Sequence, residues 1–331
     1  MSAGCVRSVV VLAGGLSIER EVSLRSGTRV AHALADAGYD VDVLDVGADV
    51  MTDLRSRVPD AVWPVLHGAA GEDGSLAELL RMLDLVTVGT APDGCRLSWD
   101  KSVAAAIAAT LGIAVPTAVT IPVAMLRDIG TRHLVPAIAG AVGPAVVVKP
   151  NRGGSGFGIS AIAGADDLPE AMMLAFGHDS VCRVERLVTG VEVAVTVIDT
   201  GHGPGALPAV EIAPCGGDYD FRARYTVGAT EFNSPARLEA AVADRLAGHA
   251  VDVHRAMGLG SLSRSDWIVD DGGVPWFLEV NTSPGMTDTS TTPLAMTADG
   301  TTLAQACSEL VEAATALPWR APALADGSPL G

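Results

Sequence analysis

The feature that most restricts the fold is an opening alternation of short apolar runs with helix-length segments. Val9-Val10-Val11-Leu12-Ala13 is followed at once by Gly14-Gly15, then by a helical pattern from about Val22 to Ala37. Further strand-like runs come at Asp40 to Asp45 and Ala61 to Leu66. Strands joined by helical crossovers lie parallel, so this order predicts a parallel α/β domain. Ligands in such domains gather at the carboxyl ends of the strands. The segment Gly14 to Ser23 and the dipeptide His67-Gly68 both fall at that edge. Each also fits a plain structural role, the first as a helix N-terminus with acidic residues in its first turn, the second as a packed histidine. Gly71-Glu72-Asp73-Gly74-Ser75 then precedes a helical pattern at Leu76, Leu79, Leu80 and Leu83. Val86-Thr87-Val88-Gly89 is expected to close the unit as a strand.

With 331 residues, 49% of them hydrophobic, the chain has room for more than one core. We expect an N-terminal unit over residues 1–92, a central unit over 93–183 and a C-terminal unit over 184–331. The central one opens with an alanine-rich helix from Asp100 to Leu111 and carries the strand Ala145 to Lys149. The last carries strands at Val193 to Ile198, Leu207 to Ile212, Trp267 to Asp270 and Trp276 to Val280, with a helix from Pro235 to Met257. The proline-rich last dozen residues read as loosely held.

A formal charge of −17 and a pI near 4.7 argue against a nucleic-acid groove or an anionic membrane surface as partner. The run Val9 to Ala13 is too short to span a membrane and lacks a signal-peptide pattern. Cys5, Cys95, Cys182, Cys215 and Cys307 form neither a CxxC pair nor a cysteine–histidine cluster. The expected setting is the cytoplasm. Among 22 basic residues only Lys101 and Lys149 are lysines. In a chain otherwise committed to arginine, these mark places where a compact ammonium does what a planar guanidinium cannot.

Two clusters carry chemistry. The strand Trp276-Phe277-Leu278 ends in Glu279-Val280-Asn281, whose alternation aims Glu279 and Asn281 at one face. The turn Asp270-Asp271-Gly272-Gly273 pairs this strand with Ser265 to Asp270, setting Asp266 opposite Glu279. Two carboxylates and an amide oxygen suit Mg²⁺ bridging substrate phosphates. Lys149 leads into a glycine-rich loop, Asn151-Arg152-Gly153-Gly154-Ser155-Gly156-Phe157-Gly158, whose N–H groups could wrap anionic oxygens. It is neither a Walker A motif nor a GxGxxG turn.

Taken together, GGLSIEREVS (14–23), VLHG and GEDG (65–68, 71–74), DK (100–101), VVKPNRGGSGFG (147–158), ERLVTGVEVAV (185–195), ARY (223–225), SRSD (263–266) and LEVNTSPGMT (278–287) resemble the D-alanine–D-alanine ligases of the ATP-grasp superfamily. The resemblance implies a three-domain ATP-grasp fold, α+β overall, with an N-terminal parallel α/β domain. It also implies an ATP-dependent ligase that joins two D-alanines through an acyl phosphate, for cell-wall precursors. On the matching positions, Lys101 and Lys149 would hold ATP phosphates, with Ser155 and Arg224 nearby. Glu185, Arg186, Leu187, Val188 and Glu192 would hold adenine and ribose. Asp266, Glu279 and Asn281 would hold Mg²⁺, two ions being expected and Mn²⁺ able to substitute. Arg264 and the Gly285 N–H would stabilise the tetrahedral oxyanion. Glu19 and His67 would receive the first amino acid, Glu19, Ser155 and Tyr225 would close over it, and Ser290 with Thr291 would receive the second. A homodimer is the implied assembly.

The chain departs from the family pattern at Gly156, Arg224, Ser265 and Thr291. A hydroxyl at 291 points to an alternative, a specialised-pathway ligase with a polar or hydroxy-acid second substrate. A catalytically silent ATP-binding regulator is the alternative from another class. The intact lysine and carboxylate set argues against it, and the resemblance at Tyr225 implies an amide rather than an ester product, since the family's lactate users depart from this tyrosine-bearing loop.

Overall fold

The computed structural model describes residues 8–214 and 230–316. Arg224, Tyr225, Cys5, Cys215 and the proline-rich C-terminal residues lie outside that range. The described strands are β1 (Ser8–Ala13), β2 (Asp40–Asp45), β3 (Ala61–Pro64), β4 (Ala118–Pro122), β5 (Val146–Pro150), β6 (Ser160–Ile162) and β7 (Val181–Arg186). They continue with β8 (Val191–Ile198), β9 (Gly205–Ala206), β10 (Val210–Pro214), β11 (Thr230–Asn233), β12 (Leu262–Val269) and β13 (Pro275–Asn281).

Three sheets result. The first has order β2-β1-β3 and is parallel, as the helical crossovers require. Its central strand is buried on both sides, and this is why β1 reads as an uninterrupted apolar run. One face carries Val10, Leu12 and Val62 against Leu54, Leu76 and Leu80. The other carries Val9, Val11 and Trp63 against Val30 and Leu34 of the helix Arg20–Asp36. The second sheet, β4-β7-β5-β6, and the third, β11-β10-β8-β12-β13, are antiparallel.

Two segments cross the domain limits expected from sequence. The helix Lys101–Thr110 buries Ala104 and Ala108 with Val193, Val195 and Phe277, in the core of the third sheet rather than the second. The helix Leu303–Ala316 returns to the first sheet, burying Cys307, Leu310 and Val311 beside Val9 and Val11. Likewise, β7 belongs to the second sheet, although a new unit is expected near Val184. Val86 to Gly89 forms only a single parallel bridge, Thr87 to Val62, because the next donor on that edge of β3 would be Pro64, which has no N–H. The strand expected at Leu207 to Ile212 runs from Val210 to Pro214, and the helix expected from Pro235 starts at Ala240.

Candidate active site

Residues from all three sheets meet around one pocket, lined by Glu19, His67, Glu72, Gly154, Ser155, Ile212, Arg264, Asp266, Asn281, Ser283, Gly285, Thr289, Ser290 and Thr291. A second, adjoining pocket holds Lys101, Gly153 and Glu279, and shares Glu72 and Asn281 with the first. Lys149, Glu185, Arg186, Leu187, Val188 and Glu192 line neither pocket and sit on or beside β5, β7 and β8.

The β12–β13 hairpin sets Asp266 opposite Glu279 and Arg264 opposite Asn281, the register anticipated from the turn at 270–273. Asp270 builds that turn, accepting from the Gly272 and Val274 N–H groups at 3.0 and 2.9 Å and from Trp276 Nε1 at 2.8 Å. Arg264 grips Asp266 with both arms, Nε to Oδ1 at 2.7 Å and a terminal nitrogen to Oδ2 at 2.9 Å. Asn281 Nδ2 lies 3.5 Å from the same carboxylate. Ser265 faces away from this cluster. Its buried hydroxyl accepts the Trp267 indole N–H at 2.8 Å, which accounts for a polar residue in an otherwise apolar layer.

Both lysines are buried against carboxylates. Lys101 begins a helix capped by Asp100, whose side chain accepts from the Ser102 and Val103 N–H groups. Its ammonium lies 3.1 Å from Glu279 and donates to the Gly153 carbonyl at 2.5 Å. Lys149 at the end of β5 lies 2.6 Å from Glu185, which also accepts from Arg183 Nε at 3.0 Å. Arg186 stacks its guanidinium 5.1 Å from the Trp276 ring centroid. Leu187 continues β7, its N–H donating to the Ala145 carbonyl at 3.0 Å. Val188 follows in the loop, and Glu192 sits on β8 opposite Ile212 and Ile268.

The glycine-rich loop bends over Glu19. Ser155 adopts φ +54°, a left-handed conformation that costs a non-glycine residue about 1 kcal/mol. The compensation is its hydroxyl, which donates to the Glu19 carboxylate at close range. Gly156 follows at φ +76°, which explains why glycine rather than a second serine stands there.

His67 joins the same wall. Its Nδ1 is 2.9 Å from the Ser283 carbonyl and so must carry the proton. Nε2 then accepts from the Ser26 hydroxyl at 3.4 Å, and Ser26 Oγ accepts the Met286 N–H at 3.1 Å. Burial pushes the imidazole down to about 4, so the ring is neutral at pH 7. His67 therefore fixes the segment 283–286 that carries Gly285, besides lining the pocket. Ser290 Oγ accepts the Thr287 N–H at 3.1 Å and pairs with the Thr287 hydroxyl at 2.8 Å.

Glu72, Ser26 and Ser283 belong to the site without having been singled out from sequence. Glu72 stands in a glycine-flanked motif that carried no assigned role. Burial, and then the charge of Glu19, push its carboxyl up to about 8, while the Gly68 N–H donates to it at 2.7 Å. Burial and the Glu19 charge both favour its protonated form. Ser26 was detectable as a small polar residue, beside Ser23 at i−3, on the apolar face of its helix.

Among the described residues, no three His, Cys, Asp or Glu side chains cluster as metal ligands. The oxygen set here is two carboxylates and a carboxamide, with Asp266 and Glu279 facing each other across the hairpin, a composition that fits a hard cation sharing its sphere with substrate phosphates.

The family model described as "D-ala D-ala ligase C-terminus" matches residues 107–312. A D-alanine–D-alanine ligase of Anaeromyxobacter sp. (strain K) is 38% identical over 95% of this chain and 99% of its own length. One from Bordetella petrii is 37% identical over 92% and 91%. Among solved structures, the VanG D-Ala:D-Ser ligase from Enterococcus faecalis superposes with a TM-score of 0.79 at 27% identity, covering 94% of this chain and all of its own. The D-alanine–D-alanine ligase from Bacillus anthracis complexed with ATP shares the fold at a TM-score of 0.79 and 24% identity, over 93% and 97% of the two chains. The chain belongs to the D-alanine–D-alanine ligase family.

Proposed function

We propose that the protein joins two D-alanines to D-Ala-D-Ala, splitting ATP to ADP and phosphate through D-alanyl phosphate, and so supplies peptidoglycan precursors. The observation that carries this reading is the Lys101–Glu279 pair, which joins a phosphate-binding candidate to a metal-ligand candidate beside the Glu19–Ser155 contact. Glu19 would take the first ammonium. Lys101 and Lys149 would turn from their carboxylates to the ATP phosphates as point charges. Asp266, Glu279 and Asn281 would hold Mg²⁺, which when bound neutralises charge on the transferring phosphoryl group. Ser290 would hold the second carboxylate while Arg264 and the Gly285 N–H face the developing oxyanion. The buried wall of His67, Glu72 and Ser155 keeps water from the acyl phosphate. A cytoplasmic homodimer, the division into 1–92, 93–183 and 184–331 with β7 and the two helices 101–110 and 303–316 packing across it, and the nucleotide contacts of Glu185, Arg186, Leu187, Val188, Glu192 and Arg224 belong to the same proposal.

One observation favours a second reading. Among the described residues Thr291 Oγ1 is buried without a hydrogen-bond partner, on a residue that lines the pocket next to Ser290. A second amino acid with a polar side chain would give such a group a partner. Phosphate release from ATP and Mg²⁺, with product masses, across D-alanine, D-serine, D-lactate and L-amino acids tests both. D-alanine alone must support turnover. Its failure overturns the first reading, and faster turnover on adding D-serine supports the second.

A further inference from the structure

We propose that Arg183 is a positioning residue that frees Lys149 for the nucleotide phosphates, an inference that rests on the functional reading above. Arg183 and Glu185 are two residues apart on β7 and share a face. Arg183 Nε donates to Glu185 Oε2 at 3.0 Å, and Lys149 Nζ approaches the other oxygen, Oε1, at 2.6 Å. The β5–β7 register places Lys149 directly opposite Arg183. Like charges in that position repel, and the shared carboxylate holds them together. The three side chains are 5%, 4% and 8% exposed for Lys149, Glu185 and Arg183, so the triad is a buried group with one positive charge in excess.

Comparison with the other pairs shows what the extra cation does. Glu279 faces Lys101 and Asp266 faces Arg264. If those cations turned to phosphate or oxyanion, Asp266 and Glu279 would be left to hold the cation proposed for them. Glu185 is not one of the metal ligands, and the neutral base or sugar it is expected to meet brings no cation to replace the lysine. With Lys149 as its only cation, the lysine could leave only by stranding a buried carboxylate, which is strongly unfavourable. Arg183 keeps Glu185 compensated, and the excess charge then belongs to Lys149, where an anion can neutralise it.

Calorimetric titration of the full chain with ADP and Mg²⁺, together with steady-state kinetics, tests this in R183L, R183K and R183L/E185Q. Removing the guanidinium is expected to weaken ADP binding and raise the ATP KM about tenfold or more, with the D-alanine KM and kcat at saturating ATP nearly unchanged. R183K should recover most of the loss. R183L/E185Q should recover part of it, because an amide does not retain the lysine. If R183L does not fold, R183Q serves in its place. Wild-type ADP affinity in the folded neutral variant overturns the role of Arg183 alone, as does a loss spread equally over both KM values and kcat. A wild-type protein that binds no ADP overturns the functional reading and this inference with it.

Discussion

Gly285→Ala gives the sharpest test of how the second-substrate side is built. A Cβ at position 285 would lie 2.7 Å from Ser290 Oγ and 3.5 Å from Ser290 Cβ, inside normal contact with the hydroxyl. That hydroxyl cannot give way freely, because it accepts the Thr287 N–H at 3.1 Å and pairs with Thr287 Oγ1 at 2.8 Å. Rotating Ser290 aside forfeits both bonds. At roughly 0.5–1.5 kcal/mol net for each, the alanine should lower stability by about 1–3 kcal/mol. The alternative relief, a shift of the 285 backbone, moves the N–H proposed to face the oxyanion. Either way the KM for the second amino acid rises or kcat falls while the ATP KM holds. Urea denaturation gives the stability term, and initial rates against D-alanine give the kinetic one. The double variant G285A/S290G should cost less than the two single changes combined, because the colliding atoms are gone. Wild-type stability with an unaltered D-alanine saturation curve in G285A would refute the reasoning.

Glu279→Gln keeps the shape of a side chain that lies 3.1 Å from Lys101 but removes its charge, so ATP-dependent phosphate release should vanish while the protein stays folded. Near-normal release from that variant would sink the metal assignment. Stability should also depend on pH through three buried groups. His67 and His254 are pushed down to about 4 by burial, so the unfolded chain takes up protons that the folded chain refuses as pH falls below 6.5. Glu72 is pushed up to about 8, so the folded chain holds a proton that the unfolded chain loses above 4.5. The histidines therefore lower stability as pH falls below 6.5 and Glu72 lowers it as pH rises, so stability passes through a maximum between the two limbs. Denaturant midpoints between pH 5 and 8 check this, and Glu72→Gln should flatten the limb above 6.5. A maximum that stays put with an unchanged upper limb in that variant would exclude Glu72 as its source.

Much of the framework was legible because it follows from local geometry. An apolar run followed by a glycine turn and a helix-length segment requires a parallel crossover, and β1, β2 and β3 form one. Strand alternation and a tight turn set Asp266 across from Glu279 without reference to the rest of the chain. What was not legible depends on which partner is available. Val86 to Gly89 has strand composition but makes only one bridge to β3, and nothing near the helix Leu303–Ala316 in sequence indicates that it packs on the first sheet. The motif around Glu72 was visible, its protonation was not.

The sequence by itself determined β1, β2, β3, β5, β8 and β13, the hairpin register, the scarcity of lysine and the shared phase of Glu279 and Asn281, because each depends on residues near one another along the chain. Tertiary structure alone decided which charges meet: Lys101 with Glu279, Lys149 and Arg183 with the single carboxylate of Glu185, and Glu72 with the repulsion of Glu19. Coulomb interaction and desolvation depend on distance and depth in three dimensions, and neither can be read from spacing along the chain.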